Sequence, residues 1–305
     1  MKVLSYFRSA LSKTKIDFMK FHKLALIMSV FCMVASLVLV FAKGLNLGID
    51  FSGGILIETR MREEVDVSKV RELLSAEAKD VQIQNIDQKD LLIRVAKSGG
   101  EQSVLVKKIQ EILNKNYSDI QYRKVDYVGP QVGSELIWKG FFALVMSFVF
   151  IMIYIWIRFD WQFGLGGIFA LLHDALLTLG FFALTRIEFN LTSIAAILTI
   201  IGYSINDSVV IYDRIRENLI KFKKMNLSEV INSSTNSTLS RTLLTAGTTL
   251  TSLFALMIFG GEALRSFSVA TFFGVIVGTY SSVYISAPIL IYIDPRKKEV
   301  AVKKK

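Results

Sequence analysis

Apolar runs free of charge recur along the chain at the length a membrane span requires. Leu24 to Ala42, Gly140 to Ile157, Thr242 to Gly261 and Ser266 to Ile293 hold 19, 18, 20 and 28 residues without Asp, Glu, Lys or Arg. Two further runs are each broken by one acid, Trp161 to Thr185 by Asp174 and Phe189 to Tyr212 by Asp207. At about 1.5 Å per helical residue, every run reaches across a hydrocarbon layer of about 30 Å. The pattern predicts six transmembrane helices, over 24–42, 138–157, 161–185, 189–213, 241–260 and 266–293. The first begins after 23 residues and ends at Lys43 and Leu45 without a small-residue cleavage site, so it is expected to be a retained span.

Residues 43–137 are too many for a simple connection, and their periodicity changes along the way. Ile55, Ile57, Thr59 and Met61 alternate as one face of a strand, and Val67, Val70, Leu73, Leu74 and Ala78 then recur at helical spacing. Val81 to Ile86 and Leu91 to Val95 read as strands joined across Asp87-Gln88-Lys89-Asp90. Val104, Leu105, Ile109, Ile112 and Leu113 form a second helical stripe, and Ile120 to Val128 a last strand. The order β-α-β-β-α-β predicts a ferredoxin-like α+β domain, with helices on one sheet face and the other face free for a partner.

Charge sets the expected topology. The chain has 305 residues, 52% of them hydrophobic, with mean hydropathy +0.46, yet carries 36 Lys+Arg against 26 Asp+Glu. Nineteen of the basic residues flank the spans on the side of the N-terminus, while Lys43, Lys139, Arg186 and Arg265 flank them on the other. The positive-inside rule therefore predicts both termini in the cytoplasm and the α+β domain outside. That domain is nearly neutral, with 13 basic and 15 acidic residues between Gly44 and Trp138, so the net charge of +10 gives no reason to expect nucleic-acid binding. One Cys and 2 His argue against a disulfide framework or a multi-histidine metal site, and no metal or cofactor is expected.

The candidate chemistry lies within the spans. An Asp at the centre of a membrane helix costs about 2.5 to 3.5 kcal/mol, so Asp174 beside His173, and Asp207 beside Asn206 and near Ser204, should face the bundle interior. Each could belong to an ion path or could pin helices through hydrogen bonds. Arg241, at the start of the fifth span, falls at a depth where it could meet Asp207, or it could be a snorkelling cation at a helix end. Asp213, immediately after Tyr212, closes the fourth span ahead of a cytoplasmic amphipathic stretch over 214–240, in which Ser228 is expected to cap a short helix. Gly274 and Gly278 have the spacing of close helix packing.

Glycine junctions flank the outer domain: Gly48, Asp50, Gly53 and Gly54 before it, and Gly129, Pro130 and Gly133 after it. They are turns, or hinges for a moving domain. Phosphate-loop, HExxH and GxSxG patterns are absent, and no enzyme activity is expected. Work by such a chain would draw on ion flow, since one elementary charge crossing 100 mV releases about 2.3 kcal/mol.

Gly-Ile-Asp-Phe-Ser-Gly-Gly from Gly48, Val-Gly-Pro-Gln-Val-Gly from Val128, Leu-Leu-His-Asp from Leu171, the run from Ile201 to Asn218, Thr-Leu-Ser-Arg-Thr from Thr238, and Gly-Thr-Tyr-Ser-Ser-Val-Tyr-Ile-Ser-Ala-Pro from Gly278 together carry a family resemblance. The chain resembles the SecF family of bacterial protein translocase subunits, within the RND superfamily. The resemblance implies pairing with SecD, association with the SecYEG channel, YajC and YidC as further candidate partners, and proton or sodium flow used to draw out an exported unfolded polypeptide at the cytoplasmic (inner) membrane. It also implies that Asp207 binds and releases the ion, that Arg241 modulates it, and that Asp213 supports it. A half-transporter for lipid or small solutes and a passive assembly factor remain the alternatives.

Overall fold

The computed structural model describes residues 16–75, 81–87, 89–95 and 102–296. Residues 1–15, Ala78, Gln88 and the basic tail beyond 296 lie outside them. The chain forms two compact units, Leu47–Phe142 and the pair of segments Met1–Asn46 and Ala143–Lys305.

The first unit contains a short helix α2 (Ile49–Ser52), strand β1 (Gly54–Arg60), helix α3 (Val67–Ser75), strands β2 (Val81–Asp87) and β3 (Asp90–Val95), helix α4 (Gln102–Asn116) and strand β4 (Gln121–Val128). The strands form one antiparallel sheet in the order β2-β3-β1-β4, the split β-α-β arrangement that the alternation predicts. Ile55 and Ile57 on β1 and Leu91 and Ile93 on β3 pack against Val70 and Leu74 of α3 and Leu105, Ile109 and Leu113 of α4. Period-two and helical stripes thus meet in one core, because each buries the only apolar face it has.

The opposite sheet face differs from expectation. It is not wholly free: Leu56 and Leu92 are buried there with Ile49 of α2, and Val128 packs beside them. An ion cluster covers more of it, with Arg123 3.0 Å from Asp90 and 3.8 Å from Glu58, and Arg60 3.5 Å from Asp90.

The glycine junctions have a geometric cause. Gly53 and Gly54 hold φ of +70° and +124°, backbone that side-chain-bearing residues avoid, and they turn the chain from α2 into β1. A Cβ on Gly133 would stand 2.8 Å from the Phe51 carbonyl oxygen, so this glycine permits close approach to α2. Pro130 occupies the first position of helix α5 (Pro130–Arg158), where its missing N–H is no loss.

The second unit holds α1 (His22–Lys43), the later turns of α5, α6 (Trp161–Thr185), α7 (Leu191–Lys221), α8 (Leu227–Phe259), α9 (Gly261–Ser281), a π-helical turn (Ser282–Ser286) and α10 (Ala287–Ile293). Among the described residues, six helices are long and apolar enough to cross a membrane: Phe18–Lys43, Val132–Arg158, Trp161–Thr185, Leu191–Lys221, Leu227–Phe259 and Leu264–Ile293. The third, fourth and sixth of these are half or more buried, whereas the others present large apolar side chains such as Phe41, Ile157 and Phe259 outward. Exposed apolar faces on helices of this length fit a lipid environment.

Local chemistry explains the connections. Asn190 accepts from the Ser193 backbone N–H while its own N–H donates to Ser193 Oγ, each at 3.1 Å, a reciprocal cap that starts α7. The stretch expected as a separate amphipathic segment at 214–240 is instead divided between two long helices. α7 continues to Lys221, and α8 starts at Leu227, its N-cap being Asn226, which accepts from the Ser228 N–H, rather than Ser228 itself. The Ser- and Thr-rich segment stays helical because Ser234, Thr235 and Thr238 return their hydroxyls to the carbonyls of Val230, Ile231 and Ser234.

Candidate functional site

The buried polar groups of the second unit converge between α6, α7 and the last membrane helix. Asp207 projects from α7 and is 7% exposed. Its Oδ1 accepts from Thr242 Oγ1 of α8 at 2.6 Å, and its Oδ2 from Ser282 Oγ of the π-turn at 2.7 Å. Three helices are therefore tied to one carboxylate. Burying such a group without partners would cost several kcal/mol, and a hydrogen bond to a charged acceptor returns about 1.5–3 kcal/mol.

A second acid lies nearby on α6. Asp174 is fully buried, with Oδ1 2.9 Å from His173 Nδ1, and Oδ2 accepting from Ser204 Oγ of α7 and from Ser281 Oγ at 2.7 Å. Further along, Ser286 Oγ donates to the Tyr212 hydroxyl at 2.7 Å. The last helix thus presents Ser281 to Asp174, Ser282 to Asp207 and Ser286 to Tyr212. A π-turn, which adds one residue to the hydrogen-bonded ring, spans this region just before Pro288. Proline has no N–H and its ring conflicts with the carbonyl four residues back, here Tyr284, so the widened turn has a local cause.

Glycines let the helices close on this network. A Cβ on Gly278 would stand 3.1 Å from Ser204 Cβ, and one on Gly274 would overlap Ile200 of α7. Both serve packing between the last helix and α7, as their spacing suggests.

The expected site residues separate into groups. Asp207 and Asp174 are inside, but Ser204 serves Asp174 rather than Asp207. Asn206 is exposed, on the side of α7 away from the network. Arg241 does not meet Asp207: among the described residues no ion pair joins them, and Arg241 is exposed. The reason is helical phase, since successive residues diverge by about 100° and Thr242 takes the inward position. Asp213 is also apart from Asp207, pairing at 2.7 Å with Arg158 at the end of α5, where both side chains are nearly half exposed. Thr242 and Ser282 carry the direct contacts. Their sequence signal was slight, a hydroxyl next to Arg241 and one of a pair of serines in an apolar run.

Comparison with known proteins adds a second line of observation. The family described as "Protein export membrane protein SecD/SecF, C-terminal" matches residues 108–296, and the SecD/SecF GG motif matches residues 38–65, which contain Gly53 and Gly54. A protein translocase subunit SecF of Rickettsia felis is 51% identical over 292 residues, covering 94% of each chain. One from Rickettsia bellii is 50% identical over 294 residues, covering 94% of this chain and 96% of its own. Among solved structures, the crystal structure of SecDF from Thermus thermophilus, described as a translocon-associated membrane protein, superposes with a TM-score of 0.83 at 33% identity over 96% of this chain. This chain spans 39% of that SecDF chain. A second SecDF crystal structure, in a super-membrane-facing form, gives a TM-score of 0.70 over the same share of this chain.

Proposed function

This chain belongs to the SecF family of protein translocase subunits, and from that premise we propose that it couples ion flow across the inner membrane to late steps of polypeptide export, in partnership with SecD. The likeness to the SecDF crystal structures, at a TM-score of 0.83 for the first, supports the pairing. In this reading SecYEG supplies the channel, YajC and YidC are neighbours, and no catalytic chemistry is assigned to the chain. His22 Nε2, at the start of the first span, lies 3.1 Å from the Tyr292 hydroxyl at the end of the last. This supports two ends on one side, and the basic flanks support the cytoplasm as that side.

The observation that carries the proposal is the setting of Asp207. Its carboxylate is buried inside a membrane bundle and held by neutral hydroxyls from α8 and the π-turn, with no cation in direct contact among the described residues. Gain or loss of a cation there changes what the hydroxyls must do, so the ionic state of one side chain is tied to the arrangement of three helices. Arg241, one residue before Thr242, would tune the site through its field rather than by contact. Export should be measured in inverted vesicles containing the SecD partner, with proton and sodium gradients varied independently. Asp207→Asn should abolish the gradient-dependent part while leaving assembly with SecD normal. Full gradient-dependent export by that variant would overturn the proposal.

A further inference from the structure

Resting on the reading of Asp207 as an ion-binding acid, we infer that Asp174, paired with His173, is a second proton-binding site, coupled to Asp207 through the consecutive residues Ser281 and Ser282. The two acids sit on different helices, yet their partners are neighbours in the last helix: Ser281 Oγ donates to Asp174 and Ser282 Oγ to Asp207, both at 2.7 Å.

The hydrogen-bond inventory makes the coupling specific. Asp174 receives two hydroxyl protons on Oδ2, from Ser204 and Ser281, and faces His173 Nδ1 through Oδ1. That set satisfies an ionised carboxylate. A proton taken up on Oδ2 turns that oxygen into a donor, and one serine must then turn its own O–H elsewhere. Ser281 has a second acceptor within reach, the Gly278 carbonyl at 3.1 Å. Ser282 has the equivalent choice, the Thr279 carbonyl at 3.0 Å, when Asp207 is protonated. Both alternative acceptors lie on the turn that leads into the π-helix. Protonation of either acid therefore acts on the same few backbone groups, and the last helix sums the two states.

Other groups around the pair fit this role. Ser204 and Ser281 lie 3.4 Å apart, close enough to exchange a hydroxyl bond when one leaves the carboxylate. Tyr280 lies against the His173 ring, with centroids 6.1 Å apart, and its own hydroxyl is engaged by the Ala25 carbonyl of α1. His173 also borders a groove of about 510 Å³ whose other walls are mostly apolar side chains of α1 and the last helix, while His173 and Asp174 themselves are buried. The titratable groups facing Asp174 among the described residues are thus His173 directly, Tyr280 across His173, and Asp207 through the two serines. A purely structural pin would need the same hydrogen bonds but would keep one protonation state.

The test is pH-difference infrared spectroscopy of the full chain in lipid vesicles, following the protonated-carboxyl stretch. Two membrane carboxyl bands should titrate, one lost in Asp207→Asn and the other in Asp174→Asn. Asp174→Glu, which keeps the acid, should move its band rather than delete it, so the assignment does not rest on one variant. Asp207→Asn should shift the midpoint of the Asp174 band, as expected of interacting sites. In a Ser281→Ala background the same substitution should shift it by much less. If the Asp207 band titrates and no Asp174 band does, the second site is overturned and the proposed function stands. If the Asp174 midpoint ignores Asp207, the coupling is overturned. If neither acid titrates, the ion-coupled reading falls with it.

Discussion

Thr242 of α8 donates its hydroxyl to Asp207 of α7 at 2.6 Å, and the residue beside it, Arg241, is exposed. The direct contact to the acid from α8 is therefore made by a neutral side chain, and the cation stands one residue away on the exposed side of the helix.

Replacing Thr242 separates these contributions. Thr242→Val keeps the shape but leaves a buried carboxylate oxygen unpaired, a loss of about 1–3 kcal/mol. Gradient-dependent export should fall about fivefold or more, since about 1.4 kcal/mol corresponds to a factor of ten in rate. Thr242→Ser, which retains the hydroxyl, should stay near the parent rate. Equal activity of Val and Ser variants in reconstituted vesicles would remove the hydroxyl from the mechanism.

Arg241 should matter through charge and distance. Arg241→Lys keeps the positive charge and should export better than Arg241→Ala. The difference between them should narrow as salt is raised, because an exposed charge is screened over about 10 Å at 0.1 M ionic strength. Export assays at two ionic strengths provide the check, and indistinguishable Lys and Ala variants would show that the charge has no part.

Asp213 should prove dispensable by comparison. Its bond to Arg158 is an ion pair between side chains 45% and 43% exposed, and such pairs contribute about 0–1 kcal/mol. Asp213→Ala should leave thermal stability and gradient-dependent export close to the parent. A loss as deep as that of Asp207→Asn would place Asp213 in the ion path after all.

Packing along the last helix should be sensitive to single atoms. A side chain at Gly274 would overlap Ile200, and overpacking of a close helix contact costs about 1–3 kcal/mol. Gly274→Val should lower the thermal midpoint of the full chain in detergent, and Gly274→Val combined with Ile200→Ala should recover much of it. Absence of that recovery would mean the two positions do not press on each other.

Six spans and the order β-α-β-β-α-β were legible from the chain alone, because hydrophobic periodicity is a local property and each element declares its buried face within its own residues. The presence of Asp207 and Asp174 inside the membrane was legible for the same reason, as charges that interrupt apolar runs. Tertiary structure alone decided what those acids touch. Their hydroxyl partners are Thr242, Ser204, Ser281 and Ser282, residue types common in membrane helices and far from the acids in sequence, and the phase of α8 turns Thr242 inward where depth in the membrane favoured Arg241. The joining of 226–240 to the fifth span was likewise hidden, since serine and threonine favour loops in isolation and remain helical here by returning their hydroxyls to the backbone of a packed helix. Burial is written locally along a chain, whereas the pairing of polar groups depends on how separate helices rotate and approach, and that is settled only when they pack.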